Sequence, residues 1–312
     1  MPISTAPSLR IECLARLNLT GRGDSVATPM RVAIPSETAL GERRIALVPD
    51  GVRRLVKAGH QVLVEQGAGE PASARDADFV AAGAEILNDA AEVFGRAEIV
   101  AKVRAPTLDE VALMTSGAAL VALLQPAVNG DVLERLASQK ITAYGLELVP
   151  RITRAQVMDV LSSQATVAGY KAVLLGASES GKLLPMLTTA AGTIAPARVF
   201  ILGAGVAGLQ AIATARRLGA VVSAFDARSA AREHVLSLGA SFVATELASG
   251  DAETKGGYAR AQTQSEQART AETLARHIAE QDLVITTAQI PGRRAPMLIP
   301  EEVVRSMKPG SV

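Results

Sequence analysis

Residues 198–208, Arg-Val-Phe-Ile-Leu-Gly-Ala-Gly-Val-Ala-Gly, carry the strongest structural signal in the chain. The apolar run predicts a strand over Arg198–Leu202, and the six residues after it have the glycine spacing G-x-G-x-x-G. Helical spacing then predicts a helix over Val206–Leu218, closed by Gly219. In a strand–turn–helix unit these glycines permit a tight turn, close approach of a pyrophosphate and close packing of helix on strand. The sequence therefore predicts a parallel α/β domain that binds a dinucleotide.

An acidic residue follows the next predicted strand, Val221–Phe225. This residue, Asp226, comes 23 residues after Gly203, where a carboxylate can accept the ribose hydroxyls of an adenosine and would repel a 2′-phosphate. NAD(H) is therefore the expected cofactor, in preference to NADP(H). Two alternatives stay open. Arg228 could recruit a 2′-phosphate, although it is interpreted here as a solvated arginine at a helix start, and the glycines could mark only a tight turn.

Short apolar runs alternate with helical patterns in the rest of the chain, which is typical of parallel sheets covered by helices. The end of the chain, Lys308–Val312, has the composition of a turn before a further strand, so the second domain is expected to be incomplete. In the N-terminal half of the chain, strands are predicted at 31–34, 61–65, 98–103, 118–124 and 141–144, and helices at 50–58, 76–82, 108–115 and 131–138.

The alternation divides the chain into three segments. Residues 1–29 predict a disordered leader, with Met30 as a possible true start. A first α/β domain is expected over 30–161 and a second, Rossmann-like domain over 162–312. Apolar residues at helical spacing over 154–175 predict one long helix that links the two domains.

The composition excludes several classes of protein. Lys and Arg number 32 against 31 Asp and Glu, a formal net charge of +1, so the chain lacks the positive charge that general nucleic-acid binding needs. No apolar run, including Gly117–Leu124, approaches the ~18 residues of a membrane span. A single cysteine, Cys13, cannot form an intramolecular disulfide. The three histidines, His60, His234 and His277, share no spacing typical of metal ligands, so no metal site is predicted.

Polar residues interrupt the start of the long predicted helix. Gln156, Asp159 and Ser163 would lie on one stripe because they are spaced by three and four residues. Judged by spacing alone, they are interpreted as solvated groups of a first helical turn.

Four runs of sequence are more distinctive: Arg151–Gln164, Ala168–Val173, Gly203–Ala215 and Thr286–Arg293. They resemble the NAD(H)-binding component of the proton-translocating NAD(P)+ transhydrogenases, and the resemblance covers Met30–Val312. It implies two α/β domains flanking a cleft that holds NAD(H). It also implies that hydride passes directly to NADP(H) on a separate component, and that a membrane-spanning component couples this exchange to proton movement.

The resemblance implies roles for individual residues. Gln156 and Asp159 are the catalytic candidates, because they would orient the nicotinamide ring for transfer. The residues expected to contact NAD(H) are Arg151, Gln156, Asp159 and Ser162 beside the nicotinamide, Gly203, Gly205, Val206 and Gly208 at the pyrophosphate, Asp226 at the adenosine ribose, and Gly257 and Tyr258 in a mobile loop that closes over the nucleotide. The family further implies a homodimer, located in the cytoplasm and peripheral on the inner face of the cytoplasmic membrane through its partner subunits.

The same resemblance extends to alanine dehydrogenases, in which a His and a Lys of the first domain serve amine oxidation. At the matching places this chain has Gln125 and Arg104. An amide cannot act as an acid or base, whereas hydride exchange between two nicotinamides needs only proximity and orientation. Two other functions stay open. One is an alanine-dehydrogenase-type oxidoreductase, in which Arg43 and Arg44 could bind a carboxylate, and the other is a non-catalytic NAD(H)-binding regulator.

Overall fold

The computed structural model describes residues 28–244, 264–289, 295 and 297–312. The predicted leader up to residue 27 and the loop residues Gly257 and Tyr258 lie outside the described residues. The chain divides into two compact units, one ending at Met158 and the other beginning at Asp159. Each unit contains a parallel sheet, so the predicted α/β class with two Rossmann-like domains is confirmed.

The first unit has a six-stranded sheet in the order β3-β2-β1-β4-β5-β6, in which every pairing is parallel. The chain order reverses between β1 and β4, and ligands of such sheets bind beyond the carboxyl ends of the strands at this point. The elements are β1 (Arg31–Ile34), α1 (Pro49–Lys57), β2 (Gln61–Glu65), α2 (Asp76–Ala81), β3 (Glu85–Leu87), α3 (Ala90–Arg96), β4 (Ile99–Arg104), α4 (Leu108–Leu113), β5 (Ala119–Leu123), α5 (Gly130–Ser138) and β6 (Thr142–Gly145).

Helices cover both faces of this sheet because its strands are apolar on both sides. In β2, Val62 and Val64 pack into one core together with Phe79 of α2. Leu63, between them, packs into a second core with Phe94 of α3. Strands that are buried on both faces have continuous apolar sequences, which is why the parallel sheet could be predicted.

The second unit has a four-stranded parallel sheet in the order β11-β10-β9-β12, with β9 and β10 at the predicted positions. A separate antiparallel hairpin, β7-β8, precedes it. The elements are α6 (Val160–Glu179), β7 (Leu187–Thr189), β8 (Gly192–Ile194), β9 (Arg198–Leu202), α7 (Val206–Arg217), β10 (Val221–Phe225), α8 (Ala231–Ser237), β11 (Ser241–Phe242), α9 (Gln264–Ala279), β12 (Leu283–Thr286) and α10 (Glu301–Arg305).

The prediction of one continuous helix over 154–175 is wrong. Residues Thr153–Met158 form a 3₁₀ helix, and α6 begins only at Val160. Between them, Asp159 has a non-helical backbone, and its carboxylate accepts the Ser162 N–H at 2.9 Å. Asp159 is therefore an N-cap, which is a position that aspartate favours over the helix interior. The helix that follows lies within the second unit.

Two glycines of α6 allow it to approach the elements below it. A Cβ on Gly169 would lie 2.1 Å from the carbonyl oxygen of Ala207 in α7. A Cβ on Gly176 would lie 2.5 Å from a methyl group of Leu283 in β12. The close packing of α6 on α7 therefore depends on glycine, and it holds the N-terminal end of α7 against the body of the unit.

Candidate functional site

The glycine-rich turn between β9 and α7 begins at Gly203, which has a φ of +101°. Its N–H donates to the carbonyl oxygen of Phe225 at 2.8 Å, and its own carbonyl oxygen accepts from the Thr287 hydroxyl at 2.9 Å. A Cβ at this position would lie 2.7 Å from that hydroxyl oxygen. Both the left-handed backbone and the crowding require glycine here.

The other two glycines of the motif differ in what surrounds them. A Cβ on Gly208 would lie 1.8 Å from the Gly203 carbonyl oxygen, so this glycine is required by packing within the protein. A Cβ on Gly205 would meet no atom within 4 Å. Gly205 is the N-cap of α7 and Val206 its first residue. The helix N-terminus therefore faces open space, and its N–H groups and dipole favour an anion there. These residues fit the pyrophosphate of a dinucleotide.

Asp226 comes directly after β10 and is 8% exposed. One carboxylate oxygen, Oδ2, accepts the Ala204 N–H at 2.8 Å and Nη2 of Arg228 at 2.9 Å. The other, Oδ1, accepts the backbone N–H and the Nε of Arg228, both at 2.9 Å. The carboxylate thus ties the glycine-rich turn to the end of the neighbouring strand.

The charge on Asp226 is stabilised despite its burial. Burial has the largest single effect and acts to raise the pKa of Asp226. The hydrogen bonds from the Arg228 side chain, the Arg228 backbone and Ala204 together outweigh it and lower that pKa. The interpretation of Arg228 as a solvated arginine at a helix start is wrong, because its guanidinium pairs with Asp226 and α8 begins only at Ala231.

The structure brings two of the predicted nicotinamide residues into direct contact. Besides the N-cap bond, Asp159 Oδ2 accepts the Ser162 hydroxyl at 2.7 Å. Gln156 and Arg151 are exposed, and Gln156 lies in the 3₁₀ helix, on the other side of the boundary between the two units from Asp159. The predicted stripe of Gln156, Asp159 and Ser163 on one helix is therefore wrong.

The first unit carries ionic contacts beyond the ends of its strands. The Glu42 carboxylate accepts from Nε of Arg44 at 2.8 Å, from its Nη2 at 2.6 Å and from Nε of Arg104 at 3.1 Å. These hydrogen bonds, chiefly that from the Arg44 side chain, lower the pKa of Glu42 to about 2. Both arginines that could serve a carboxylate substrate are thus paired with a carboxylate of the chain itself.

A buried ion pair lies on the same sheet. Lys102 of β4 is 3% exposed, and its ammonium lies 2.8 Å from Glu110 Oε1 and 3.8 Å from Glu37 Oε2. Glu37 also accepts the N–H groups of Val103 and Arg104. Sequence reasoning missed this cluster, since nothing in the spacing of these residues marks them as neighbours.

Gln125, at the position that decides between the two reaction types, has an unusual backbone. Its φ is +48°, in the left-handed region that residues other than glycine seldom adopt. The Glu147 carboxylate accepts the Gln125 N–H and also the Leu124 N–H, the latter at 3.0 Å. The side chain of Gln125 is exposed.

Sequence reasoning also missed Thr287. Its hydroxyl donates to the Gly203 carbonyl oxygen and its N–H donates to that of Leu202 at 2.8 Å, so it braces the glycine-rich turn. Thr287 lies in the quoted run Thr286–Arg293, but a threonine after a strand has no signal of its own. Among the described residues, no three potential metal ligands cluster, and no helix has the length and apolar character needed to cross a bilayer.

Two parallel sheets, one of them ending in a glycine-rich turn braced by Asp226 and Thr287, define an α/β protein of the Rossmann type. Residues 33–168 match the family described as alanine dehydrogenase/PNT, N-terminal domain, and residues 172–312 match alanine dehydrogenase/PNT, C-terminal domain. The chain belongs to the alanine dehydrogenase/PNT family.

Named proteins from both branches of this family are similar to the chain. An NAD(P) transhydrogenase subunit alpha chain of Rhodospirillum rubrum is 50% identical over 289 residues, which cover 91% of this chain and 75% of that protein. Alanine dehydrogenase of Halomonas elongata is 35% identical over 290 residues, which cover 91% of this chain and 71% of that protein. The crystal structure of transhydrogenase from Sinorhizobium meliloti has a TM-score of 0.80 and 46% identity, and covers 90% of this chain and 76% of that one.

Proposed function

We propose that this chain is the NAD(H)-binding component of a proton-translocating transhydrogenase. The observation that carries the proposal is the 50% identity to a transhydrogenase alpha subunit in a chain with Gln125 where amine oxidation would need an acid or base. The site described above supports it, because a helix N-terminus facing open space and a carboxylate beyond the next strand fit an adenine dinucleotide.

In this proposal each region of the site has a distinct task. Gly203, Gly205, Val206 and Gly208 hold the pyrophosphate by their backbone, and Asp226 takes the adenosine ribose. Arg151, Gln156, Asp159 and Ser162 lie beside the nicotinamide, and Gly257 and Tyr258 close over the nucleotide. Bound NADH supplies a hydride to NADP+, and this chain contributes proximity and orientation, with no proton transfer at the reacting carbon.

The proposed activity requires partners. NADP(H) would be held by a separate component, and a membrane-spanning component would couple the exchange to proton translocation. The names of the similar alpha subunits support such an assembly. The chain would act as a homodimer in the cytoplasm, at the inner face of the cytoplasmic membrane through these subunits.

An alanine-dehydrogenase reaction fits this chain less well. Gln125 offers no group to accept a proton, and Arg44 and Arg104 are paired with Glu42. With alanine, or with pyruvate and ammonia, the protein should show no NAD-linked turnover. Oxidative deamination of alanine would place the alternative first.

The direct test combines binding with reconstitution. In fluorescence titrations the protein should bind NADH more tightly than NADPH. Mixed with the NADP(H)-binding component of a transhydrogenase, it should support hydride exchange between NADH and an NAD+ analogue when NADP(H) is present. Gln156→Ala and Asp159→Asn should slow this exchange, measured by stopped flow, far more than they weaken NADH binding.

Asp159→Asn is the informative variant because asparagine retains an acceptor oxygen for the Ser162 N–H and so preserves the start of α6. Its effect then reports on the charge and not on the helix. Transfer rates within about twofold of the parent for both variants (~0.4 kcal/mol) would remove these residues from the nicotinamide site.

A further inference from the structure

The Asp226 carboxylate has no acceptor capacity left. A carboxylate offers about four lone-pair positions. Four hydrogen bonds use them here, one from the Ala204 N–H and three from Arg228. A ribose whose hydroxyls donate to Asp226 must therefore displace one or more of these donors.

The four donors differ in how easily they can leave. The Ala204 N–H belongs to the glycine-rich turn, which is held by Gly203 bonds to β10 and to Thr287. The Arg228 N–H is fixed by the backbone that turns out of β10. The Arg228 guanidinium stands at the end of a flexible side chain that is 25% exposed, so it can move into solvent while the backbone stays in place.

We propose that the Arg228 guanidinium occupies the ribose site of this domain and leaves Asp226 when a nucleotide binds. Arg228 is thereby a specificity-determining residue. It lowers the affinity for every ligand whose ribose hydroxyls need Asp226, and once displaced it remains beside the 2′ position as a positive charge. The inference rests on the proposed function, since it takes Asp226 as the ribose acceptor.

Arg228→Met tests the exchange because methionine removes the competing donors. Adenosine is the probe of choice, since it is uncharged and long-range charge effects do not alter its binding. Calorimetric titration should show adenosine and NADH binding about tenfold more tightly to the variant than to the parent. The preference for NADH over NADPH should also increase, because the positive charge beside the 2′ position is gone.

Two controls isolate the ribose contact. With 2′,3′-dideoxyadenosine, which has no hydroxyls to donate, parent and Arg228→Met should bind equally. Arg217→Met removes an exposed arginine of α7, changes the net charge by the same amount and should leave all affinities as in the parent.

Unchanged or weaker binding of adenosine to a folded Arg228→Met protein would overturn the inference. If that variant fails to fold, Arg228→Lys decides, because lysine keeps the charge and cannot bond both carboxylate oxygens as the guanidinium does. It should also bind adenosine more tightly than the parent, and equal binding would again overturn the inference. A parent protein that binds neither adenosine nor NADH would instead refute the proposed function.

Discussion

At the scale of single residues, Gly205 and Gly208 separate ligand binding from folding. A methyl group on Gly205 would enter the open space at the start of α7, where the pyrophosphate is proposed to bind. Gly205→Ala should therefore weaken NADH binding by at least about tenfold (~1.4 kcal/mol). The free energy of unfolding should change by no more than ~1 kcal/mol, the usual cost of alanine at an N-cap. Fluorescence titration and denaturant unfolding measure the two effects.

Gly208→Ala is the matched control for that experiment. Its methyl group would overlap the Gly203 carbonyl oxygen, which is backbone and cannot rotate away. This variant should lose stability by about 1–3 kcal/mol or more. If Gly205→Ala were the less stable of the two, or bound NADH as the parent does, the assignment of the open space to the nucleotide would fail.

At the scale of elements, the packing of α6 on α7 predicts an effect opposite to helix propensity. Alanine is favoured over glycine inside a helix by about 1 kcal/mol. In Gly169→Ala, however, the methyl group would meet the Ala207 carbonyl oxygen. We expect a net loss of about 1–3 kcal/mol in the free energy of unfolding. Gly95→Ala in α3 is the control. No atom lies within 4 Å of its added methyl group, so it should be neutral or more stable. Equal effects of the two substitutions would show that α6 can move away from α7.

Elements with a strong local signal could be predicted, and those defined by contacts could not. The continuous apolar runs of β1, β2, β9 and β10 matched the observed strands. The hairpin β7-β8 is exposed along both strands, so no burial pattern marks it. Strand β3 has only three residues. The break before α6 depends on the capping bonds of Asp159, which compete with an apolar spacing that continues across them. The site followed the same rule, since the glycine-rich turn was recognisable and the Asp226–Arg228 pairing was not.

At the scale of the whole molecule, one unit should be more sensitive to acid because of His277. This residue of α9 lies 2.8 Å from the Ser223 hydroxyl of β10, edge-on to Phe200 of β9. Burial lowers the pKa of His277, and Arg198 acts in the same direction against the opposing effect of Glu280. Just below pH ~6.5 the unfolded chain therefore takes up a proton that the folded chain does not. The stability of the second unit should fall as the pH falls through this range, until both states are protonated.

Calorimetry as a function of pH tests this expectation. We expect two unfolding transitions, one for each unit. His277→Gln should flatten the pH dependence of one transition and leave the other unchanged. His234→Gln, which alters an exposed histidine of α8 in the same unit, should have no such effect. A parent protein whose stability does not change on acidification from pH ~6.5 would contradict the role of His277.

The left-handed backbone at Gln125 has a consequence for how the two branches of the family could diverge. Histidine is among the residues that adopt this backbone more readily than most, and Glu147 holds the loop through N–H groups that any side chain except proline leaves available. The loop is thus already shaped for an imidazole. Since glutamine and histidine codons differ by one base, a single mutation could exchange the side chain on which the choice between reactions depends, without any change to the framework that carries it.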